Sequence, residues 1–370
     1  MKPLSSLLLL LFLVCTAARI FTTSHTLAAT PQAKNSYDSL VPQCLLGLLH
    51  APEVHKDLNL SSEQVNKLEV LLRKVDARWF PARILPTEEQ RPVIRELETE
   101  AWNWFGSNAT ATQRQRLQQL ECHAQNNRML LREDVAQRIG LKSSQQQKLA
   151  DLARATDESK LVLARTLYGD PQIKKLQQKA DQAARAEREG LSKIVQTDQW
   201  EKLKALLGDP FDATRLKRIY PLAPEFVPVR NWINSSPLTM KELRGKVVLV
   251  HFYAFQCHNC HANFGIYRRW HKELTDKGVV VVGIQTPETK TERDITAVTA
   301  AAAERDLKFP ILFDLDAANW NAWGNTVWPC VYVIDKQGYL RMWWQGELNW
   351  KGATGDKSIE EAVNKLLAEK

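Results

Sequence analysis

The chain has 370 residues, which is too long for one compact core and predicts two domains. Its hydrophobic content of 44% and charged content of 25% are ordinary for a soluble globular protein. The net charge of +8 is compatible with nucleic acid or an acidic membrane surface as a partner. However, the basic residues alternate with acids and glutamines, as they do from Arg128 to Asp134, which is typical of solvated helix faces. Nucleic-acid binding is therefore not expected.

The N-terminal 29 residues have the pattern of a secretory signal peptide. Lys2 precedes an apolar run over residues 7–18, and Arg19 is followed by a small-residue stretch that ends at Ala28 and Ala29. The run is shorter than the ~20 apolar residues that a spanning helix needs. We expect an exported protein of the bacterial periplasm or cell envelope. Contact with the membrane is expected only in the alternative case, in which the signal is not cleaved.

Cleavage of the signal would leave five cysteines, at positions 44, 122, 257, 260 and 330. An exported protein can form and keep disulfides. Because five is odd, at least one thiol is left over. Cys44 and Cys122 lie in the same half of the sequence and are predicted to form a long-range structural disulfide.

Residues 36–220 are predicted to form a helical domain. Four helix starts share a loose motif, in which Ser61–Gln64 and Thr110–Gln113 have the spacing of a capping box. The four segments are "LSSEQ" (60–64), "ATATQ" (109–113), "LKSSQ" (141–145) and "VQTDQ" (195–199). They indicate four well-capped helices in a bundle. They also resemble the LTxxQ repeats of the Spy/CpxP envelope chaperone family, on the strength of this short motif alone.

A proline-rich stretch, residues 221–237, is predicted to be a linker or an irregular entry segment. An α/β domain is expected over residues 224–370, because strand-like apolar runs alternate there with helical ones. Strands are predicted at 246–254, 278–286, 309–314, 330–335 and 339–345, and helices at 259–275, 291–305 and 358–369. Strands this apolar indicate a sheet that is covered on both faces.

The segment "FYAFQCHNCHANF" (252–264) places two cysteines where a buried strand gives way to a helix. Cysteines three apart in a first helical turn are compatible with a disulfide. Cys257 at the positive end of the helix dipole would be the nucleophile, and Cys260, one turn inside, would be the resolving thiol. A metal site would need a second ligand pair, which the sequence lacks, and a structural staple here would close too short a loop to stabilise much. A redox pair is expected.

The C-terminal ~145 residues resemble the TlpA/DipZ-like thiol–disulfide oxidoreductases, which have a thioredoxin-like fold. The matching segments are "PLTMKELRGKVVLVHFYAFQCHNC", "GVVVVGIQTPE", "WNAWGNTVWPCVYVIDKQG" and the final helix. The resemblance implies a cis peptide bond at Trp328–Pro329, facing the cysteine pair. It further implies that the backbone of Trp328 is presented to an extended segment of a substrate.

Two departures from the family pattern concern the chemistry. The residues between the cysteines are His258-Asn259 instead of Gly-Pro, and protonated His258 and His261 would favour the thiolate and make the pair more oxidising. His251 stands where thioredoxins carry a buried proton-relay acid. It is predicted to assist proton transfer at Cys260, with a merely packed histidine as the alternative. The redox direction stays open.

We therefore expect an enzyme that exchanges disulfides with cysteine-containing protein clients and with an electron donor or acceptor. Neither an organic cofactor nor a metal is expected. A peroxidase is disfavoured, because Ala254 and Val250 replace the threonine and proline of that family's signature. The non-enzymatic alternative is a helical envelope chaperone or scaffold whose thioredoxin-like half binds partners without turnover. Cys330, next to Pro329, should lie near the redox pair, and a small buried thiol is its simplest interpretation.

Overall fold

A computed structural model describes residues 37–166 and 169–369. The predicted signal peptide lies outside these residues. The described chain divides into two compact units: residues 37–66 with 94–217, and residues 67–93 with 218–369. A boundary close to residue 220 was expected, but the packing of residues 67–93 with the second unit was not. Within the described residues, no helix is both long enough and apolar enough to cross a membrane.

The described residues up to 217 are helical, as the sequence predicted. The α-helices are α1 Leu45–His50, α2 Pro52–Asp57, α3 Ser62–Ala82, α4 Thr87–Asn108, α5 Ala111–Gln125, α6 Glu133–Ile139, α7 Ser143–Arg165, α8 Ile173–Ile194 and α9 Thr197–Leu207. Short 3-10 segments occur at Asp38–Leu40, Asn126–Leu131 and Ala213–Arg215.

The recurring helix-start motif forms reciprocal glutamine pairs. Both predicted capping boxes are confirmed: Gln64 N–H donates to Ser61 Oγ at 3.2 Å, and Gln113 N–H donates to Thr110 Oγ1 at 3.2 Å. The two glutamine amides then bond to each other, with Gln64 Nε2 donating to Gln113 Oε1 at 3.0 Å. The motif thus joins helix starts that are distant in sequence.

The second two copies of the motif repeat this arrangement. Gln145 Nε2 donates to Gln199 Oε1 at 2.9 Å, and Gln199 Nε2 donates back to Gln145 Oε1 at 3.1 Å. Each amide also donates to a carbonyl at the end of the helix that precedes its partner's helix: Gln145 to Ile194, and Gln199 to Gly140. The glutamines therefore satisfy backbone groups that helix ends leave open.

The second unit contains one mixed six-stranded sheet in the order β1-β4-β3-β2-β5-β6. Its strands are β1 Trp232–Ile233, β2 Val247–Tyr253, β3 Val279–Gln285, β4 Ile311–Phe313, β5 Cys330–Ile334 and β6 Leu340–Gln345. Its helices are α10 His258–Leu274, α11 Ile295–Glu304, α12 Ala318–Ala322 and α13 Gly355–Ala368, with 3-10 segments at Thr275–Lys277, Thr291–Arg293 and Trp350–Gly352.

The central strand β2 is buried along its whole length. It pairs in parallel with β3 and antiparallel with β5. Alternate residues of the sheet contribute to two separate apolar clusters, one on each face. Val247 and Leu249 lie in the cluster that contains Cys260, and Val248 and Val250 lie in the other. The expectation of a sheet covered on both faces is confirmed.

The proline-rich stretch 221–237 is part of the second unit. Leu222 forms an isolated bridge with Tyr339, and Ala223 and Phe226 are buried against the sheet. Within the same stretch, β1 pairs with β4. Of the two alternatives drawn from the sequence, the structure matches the entry segment, because a linker would not contribute side chains to a core.

Candidate redox site

The two cysteines lie at the turn between β2 and α10. The turn is closed by a hydrogen bond from Cys257 N–H to the Ala254 carbonyl at 3.2 Å. Cys257 is the N-cap of α10, and its own carbonyl accepts the Cys260 N–H at 3.1 Å. The Cys257 side chain therefore lies among the free N–H groups at the start of a 17-residue helix.

The two thiols differ in burial and in acidity. Cys257 is half-buried, whereas Cys260 is fully buried. A hydrogen bond from the Cys260 thiol, helped by the backbone N–H groups of Cys260 and Asn259, lowers the pKa of Cys257. Burial, and then the hydrogen bond to Cys257, raise the pKa of Cys260 far above its usual range. At neutral pH the negative charge therefore resides preferentially on Cys257.

The loop that ends at Pro329 lies at the same end of the central strands as these thiols. The Trp328–Pro329 peptide bond is cis, as the family resemblance implied. Phe252 pairs with Cys330, so the end of β2 and the start of β5 are adjacent. The half-buried ring of Trp328 lies 4.1 Å, centroid to centroid, from that of Trp320. Together these contacts place an aromatic residue and a cis-proline at the end of the sheet where Cys257 lies.

His251 is packed inside the core. It is completely buried, and its ring stacks on Tyr267 with 4.0 Å between ring centroids. Neither ring nitrogen has a hydrogen-bond partner among the described residues. Burial lowers the pKa of His251 to about 3, so the imidazole is neutral near pH 7 and a weak base. These features favour the packed alternative over a proton relay.

The other two histidines of the motif are exposed. His258 is the first residue of α10 and lies between the two cysteines in sequence. His261 Nε2 donates to the carbonyl of Phe255 at 2.6 Å, which ties the helix to the preceding turn. Of these two histidines, His261 is the one whose side chain holds this turn together.

Cys330 is buried, but it lies on the other face of the sheet. Cys330 belongs to the apolar cluster on one face, whereas Cys260 belongs to the cluster on the opposite face. Burial raises the pKa of Cys330 to about 11. Although Cys330 is close to Pro329 in sequence, its thiol is directed away from the redox pair, which matches a small buried thiol.

Cys44 and Cys122 are close to each other in the helical unit. Cys44 Sγ lies 3.8 Å from the carbonyl oxygen of Glu121, the residue before Cys122. Both are free thiols in the structure, as are Cys257 and Cys260. Burial raises the pKa of both Cys44 and Cys122. Their disulfide stays a prediction.

Sequence reasoning missed the buried carboxylate of Glu292. It is fully buried and accepts three backbone hydrogen bonds, from Gln256 at 2.6 Å, Glu288 at 2.7 Å and Thr289 at 2.9 Å. Gln256 directly precedes Cys257, so Glu292 holds the loop after β3 against the reactive turn. In the sequence Glu292 lies in the charged run "ETKTERD", which is typical of a solvated surface.

Asn263, one turn beyond Cys260, is a second buried polar residue that the sequence did not reveal. Its Oδ1 accepts the Leu348 N–H at 2.9 Å, and its Nδ2 donates to the Gly346 carbonyl at 3.2 Å. Asn263 thereby fixes α10 to the loop that follows β6.

Within the described part of the chain, no group of three or more His, Cys, Asp or Glu side chains could hold a metal ion.

A strand–turn–helix with two thiols of unequal acidity, next to a cis-proline, defines a thioredoxin-like thiol–disulfide oxidoreductase. Residues 223–342 match the model of the AhpC/TSA family. The chain is 32% identical over 147 residues to the thiol-disulfide oxidoreductase YkuV of Bacillus subtilis, a match that covers 40% of this chain and 94% of the relative. The chain therefore belongs, through its second unit, to the thioredoxin-like thiol–disulfide oxidoreductases.

Two further comparisons concern the same unit. The chain is 33% identical over 148 residues to protein DipZ of Mycobacterium tuberculosis, which covers 39% of this chain. It spans only 20% of the length of that relative. Among solved structures, the solution structure of an oxidized thioredoxin-like protein is 31% identical, with a TM-score of 0.36, and covers 41% of this chain and 97% of that one. The sequence matches to YkuV and DipZ confirm the resemblance of the second unit to the TlpA/DipZ-like group.

Proposed function

We propose that the chain is an exported enzyme that exchanges disulfides with cysteine-containing protein clients through Cys257 and Cys260. The observation that carries the proposal is the contrast between the two thiols. Cys257 is half-buried with a lowered pKa, and Cys260 is buried with a raised pKa. A nucleophile must be accessible and ionised, whereas a resolving thiol need only reach the sulfur beside it.

In the reducing direction, the Cys257 thiolate attacks one sulfur of a client disulfide. The client S–S bond breaks, a mixed disulfide forms, and the other client sulfur leaves as a thiolate that takes a proton. Cys260 then loses its proton and attacks Cys257 Sγ, which releases the second client thiolate. The client gains two electrons and two protons, and the enzyme is left with a Cys257–Cys260 disulfide. The oxidising direction reverses each step.

The two sulfurs hold the electron pair that is exchanged, so the reaction needs no organic cofactor and no metal. An electron donor, or an acceptor in the oxidising direction, must restore the starting state of the pair. Residues 1–29 have the pattern of a signal peptide, which supports export to the periplasm or cell envelope. The mass of the mature N-terminus, measured on protein recovered from the envelope fraction, tests export separately from activity.

Trapping of clients tests the roles of the two cysteines. Cys260→Ala should accumulate reducible high-mass adducts on Cys257, because the resolving step is lost. Cys257→Ala is the matched control and should trap nothing. Equal trapping by both variants, or trapping only by Cys257→Ala, contradicts the assignment. An insulin-reduction assay with dithiothreitol separates the enzyme from a scaffold, which would bind unfolded protein without turnover.

A further inference from the structure

The end of α3 forms part of the core of the thioredoxin-like unit. Phe80 is fully buried in the apolar cluster on the face of the sheet opposite Cys260. Its ring contacts those of Trp323 and Tyr332, at centroid distances of 5.5 and 6.0 Å. Residues 67–93 therefore supply to the sheet a piece of core that a domain starting near residue 220 would lack.

Arg83, which directly follows α3, is an unusual core residue. It is 2% exposed, and its guanidinium lies over the rings of Phe80, Tyr332 and Trp343 at 4.0, 4.8 and 5.7 Å. Arg83 Nη1 donates to the carbonyls of Phe80 and, at 3.1 Å, of Trp323. Arg83 Nε and Nη2 have no partner with good hydrogen-bond geometry among the described residues, although the guanidinium also interacts with the Tyr332 hydroxyl.

A buried guanidinium that is only partly satisfied destabilises a fold, and an apolar side chain of similar length avoids that cost. The contacts with three aromatic rings and two carbonyls offset part of that cost, but they do not by themselves require an arginine at position 83. Residues that break a packing rule without a gain in stability are expected at functional sites. The bond to Trp323 gives Arg83 such a role, because Trp323 begins the loop that ends at Trp328–Pro329.

A close backbone contact accompanies the hydrogen bond to Trp323. Gly324 has φ +59°, and a Cβ at that position would lie 2.7 Å from Cα of Pro81. A side chain at position 324 would therefore force the loop and the end of α3 apart. The absence of a Cβ at Gly324 and the hydrogen bond from Arg83 fix the same point of the loop.

The loop is also fixed on its other side. Tyr332 Oη donates to Asn325 Oδ1 at 2.5 Å, and Asn325 N–H donates to the Trp320 carbonyl at 2.9 Å. Because the Arg83 guanidinium rests on the Tyr332 ring, it contacts both supports of the loop. Thr326 and Val327 are exposed, so the anchored part ends just before Trp328.

We infer that Arg83 is a positioning residue for the client-binding loop: it holds the Trp323 carbonyl and thereby sets the place of the Trp328 backbone beside Cys257. The inference rests on the proposed function, because the loop binds clients only if the chain exchanges disulfides with them. The end of α3 is then a working part of the redox unit, contributed by a segment more than a hundred residues upstream.

The test is Arg83→Met in the full-length chain, assayed with a disulfide-containing peptide. We expect KM to rise about tenfold, which corresponds to about 1.4 kcal/mol of binding free energy, with kcat changed less than about twofold. The pH profile of Cys257 alkylation should stay as in the wild type. The midpoint of thermal unfolding should be unchanged or higher. Arg78→Met, at an exposed position of α3, is the matched control and should leave KM unchanged.

Two further variants keep the test decisive if Arg83→Met does not fold. Arg83→Lys keeps a donor for the Trp323 carbonyl and should recover most of the wild-type KM. Gly324→Ala disturbs the contact from the loop side and should raise KM without changing the alkylation profile. An unchanged KM in folded Arg83→Met overturns the inference. So does a rise in KM that comes with a lower unfolding midpoint and an altered alkylation profile, since that is a general loss of packing.

Failure of the proposed function gives a different result. If the wild-type chain exchanges no disulfide with any peptide, the proposed function is wrong. The contact is then measured without activity, by hydrogen exchange of the amides of residues 324–328. Arg83→Met should accelerate exchange there and leave the amides of α13 unchanged, and equal protection in both proteins overturns the positioning role.

Discussion

The buried carboxylate of Glu292 accepts the backbone N–H of Gln256 at 2.6 Å, one residue before Cys257. Its second oxygen accepts the N–H groups of Glu288 and Thr289. One side chain therefore satisfies three backbone donors from two loops. Thr289 Oγ1 also donates to Gln256 Oε1 at 2.5 Å, so Glu292 and Thr289 together hold the loop after β3 against the reactive turn.

Replacing Glu292 by glutamine should destabilise the second unit. An amide offers one acceptor oxygen where the carboxylate offers two, and its NH₂ group would face N–H donors. We expect the free energy of unfolding to fall by about 2–3 kcal/mol, the cost of leaving buried donors unsatisfied. Urea unfolding measures the change, with Glu304→Gln, at an exposed position near the end of α11, as the control. Equal stability of wild type and Glu292→Gln contradicts the role given to this carboxylate.

The hydrogen bond to Glu292 holds the backbone of Glu288 near the reactive turn. Its side chain is exposed, and its negative charge acts to raise the pKa of Cys257. In Glu288→Gln this repulsion is lost, so the midpoint of Cys257 alkylation should move to lower pH. The shift should shrink at high salt, because exposed charges are screened. A midpoint that stays in place, or that moves to higher pH, would show that Glu288 lies too far from the sulfur to matter.

The sequence was sufficient to locate the redox pair, because the pair depends on a local pattern, whereas the cis-proline was implied by the family resemblance. A buried strand followed by a helix start places Cys257 and Cys260 whatever the rest of the fold does. Glu292 and Arg83 were missed for the opposite reason. Glu292 lies in a charged run, and Arg83 lies in the half of the sequence that was predicted to be a helical bundle. The burial of each is created by segments that are distant in sequence, so no local periodicity distinguishes it from a solvated residue.

His251 provides a test that depends on pH. Its pKa is lowered from 6.5 to about 3 by burial, so below pH 6.5 the unfolded chain binds a proton that the folded chain does not. The contribution of neutral His251 to the free energy of unfolding is therefore fully present above pH 6.5. It falls as the pH decreases toward 3, by roughly 1.4 kcal/mol per pH unit. His251→Phe, which keeps an aromatic ring, should lose this part of the pH dependence.

Urea unfolding of wild type and His251→Phe at pH 7.5 and pH 5 measures the difference. We expect wild type to lose about 2 kcal/mol more than the variant between these pH values. The rate at which mixed disulfides are resolved should show the same pH profile in both proteins, since a neutral, weakly basic imidazole is packed and not a relay. Equal pH dependence of stability, or a changed rate profile near neutrality, would instead support the relay that the sequence suggested.

The pair Cys44–Cys122 should be oxidised in the exported protein. The two residues are close in the fold, and their disulfide would close a loop of roughly 80 residues, which corresponds to about 4 kcal/mol of stabilisation. Non-reducing peptide mapping identifies the bond. Unfolding with and without dithiothreitol in a Cys257→Ala/Cys260→Ala background measures its contribution. Recovery of both cysteines as free thiols, or of Cys44 joined to Cys330, would disprove the pairing.

The last prediction concerns the redox potential, which His258 should raise. His258 is exposed at the first position of α10, between the two sulfurs in sequence. A protonated imidazole there stabilises the Cys257 thiolate, and so stabilises the reduced form relative to the disulfide.

His258→Gln removes the charge and keeps a polar side chain of similar size, so its potential should be more negative. Contributions of exposed charges near a helix end are about 0.3–1 kcal/mol, which corresponds to about 6–20 mV for a two-electron couple. Equilibration with glutathione at several pH values measures this difference. His271→Gln, near the far end of the same helix, is the control and should leave the potential unchanged. A potential of His258→Gln that equals wild type at every pH, or that is less negative, would show that the residues between the cysteines do not make this pair more oxidising through charge.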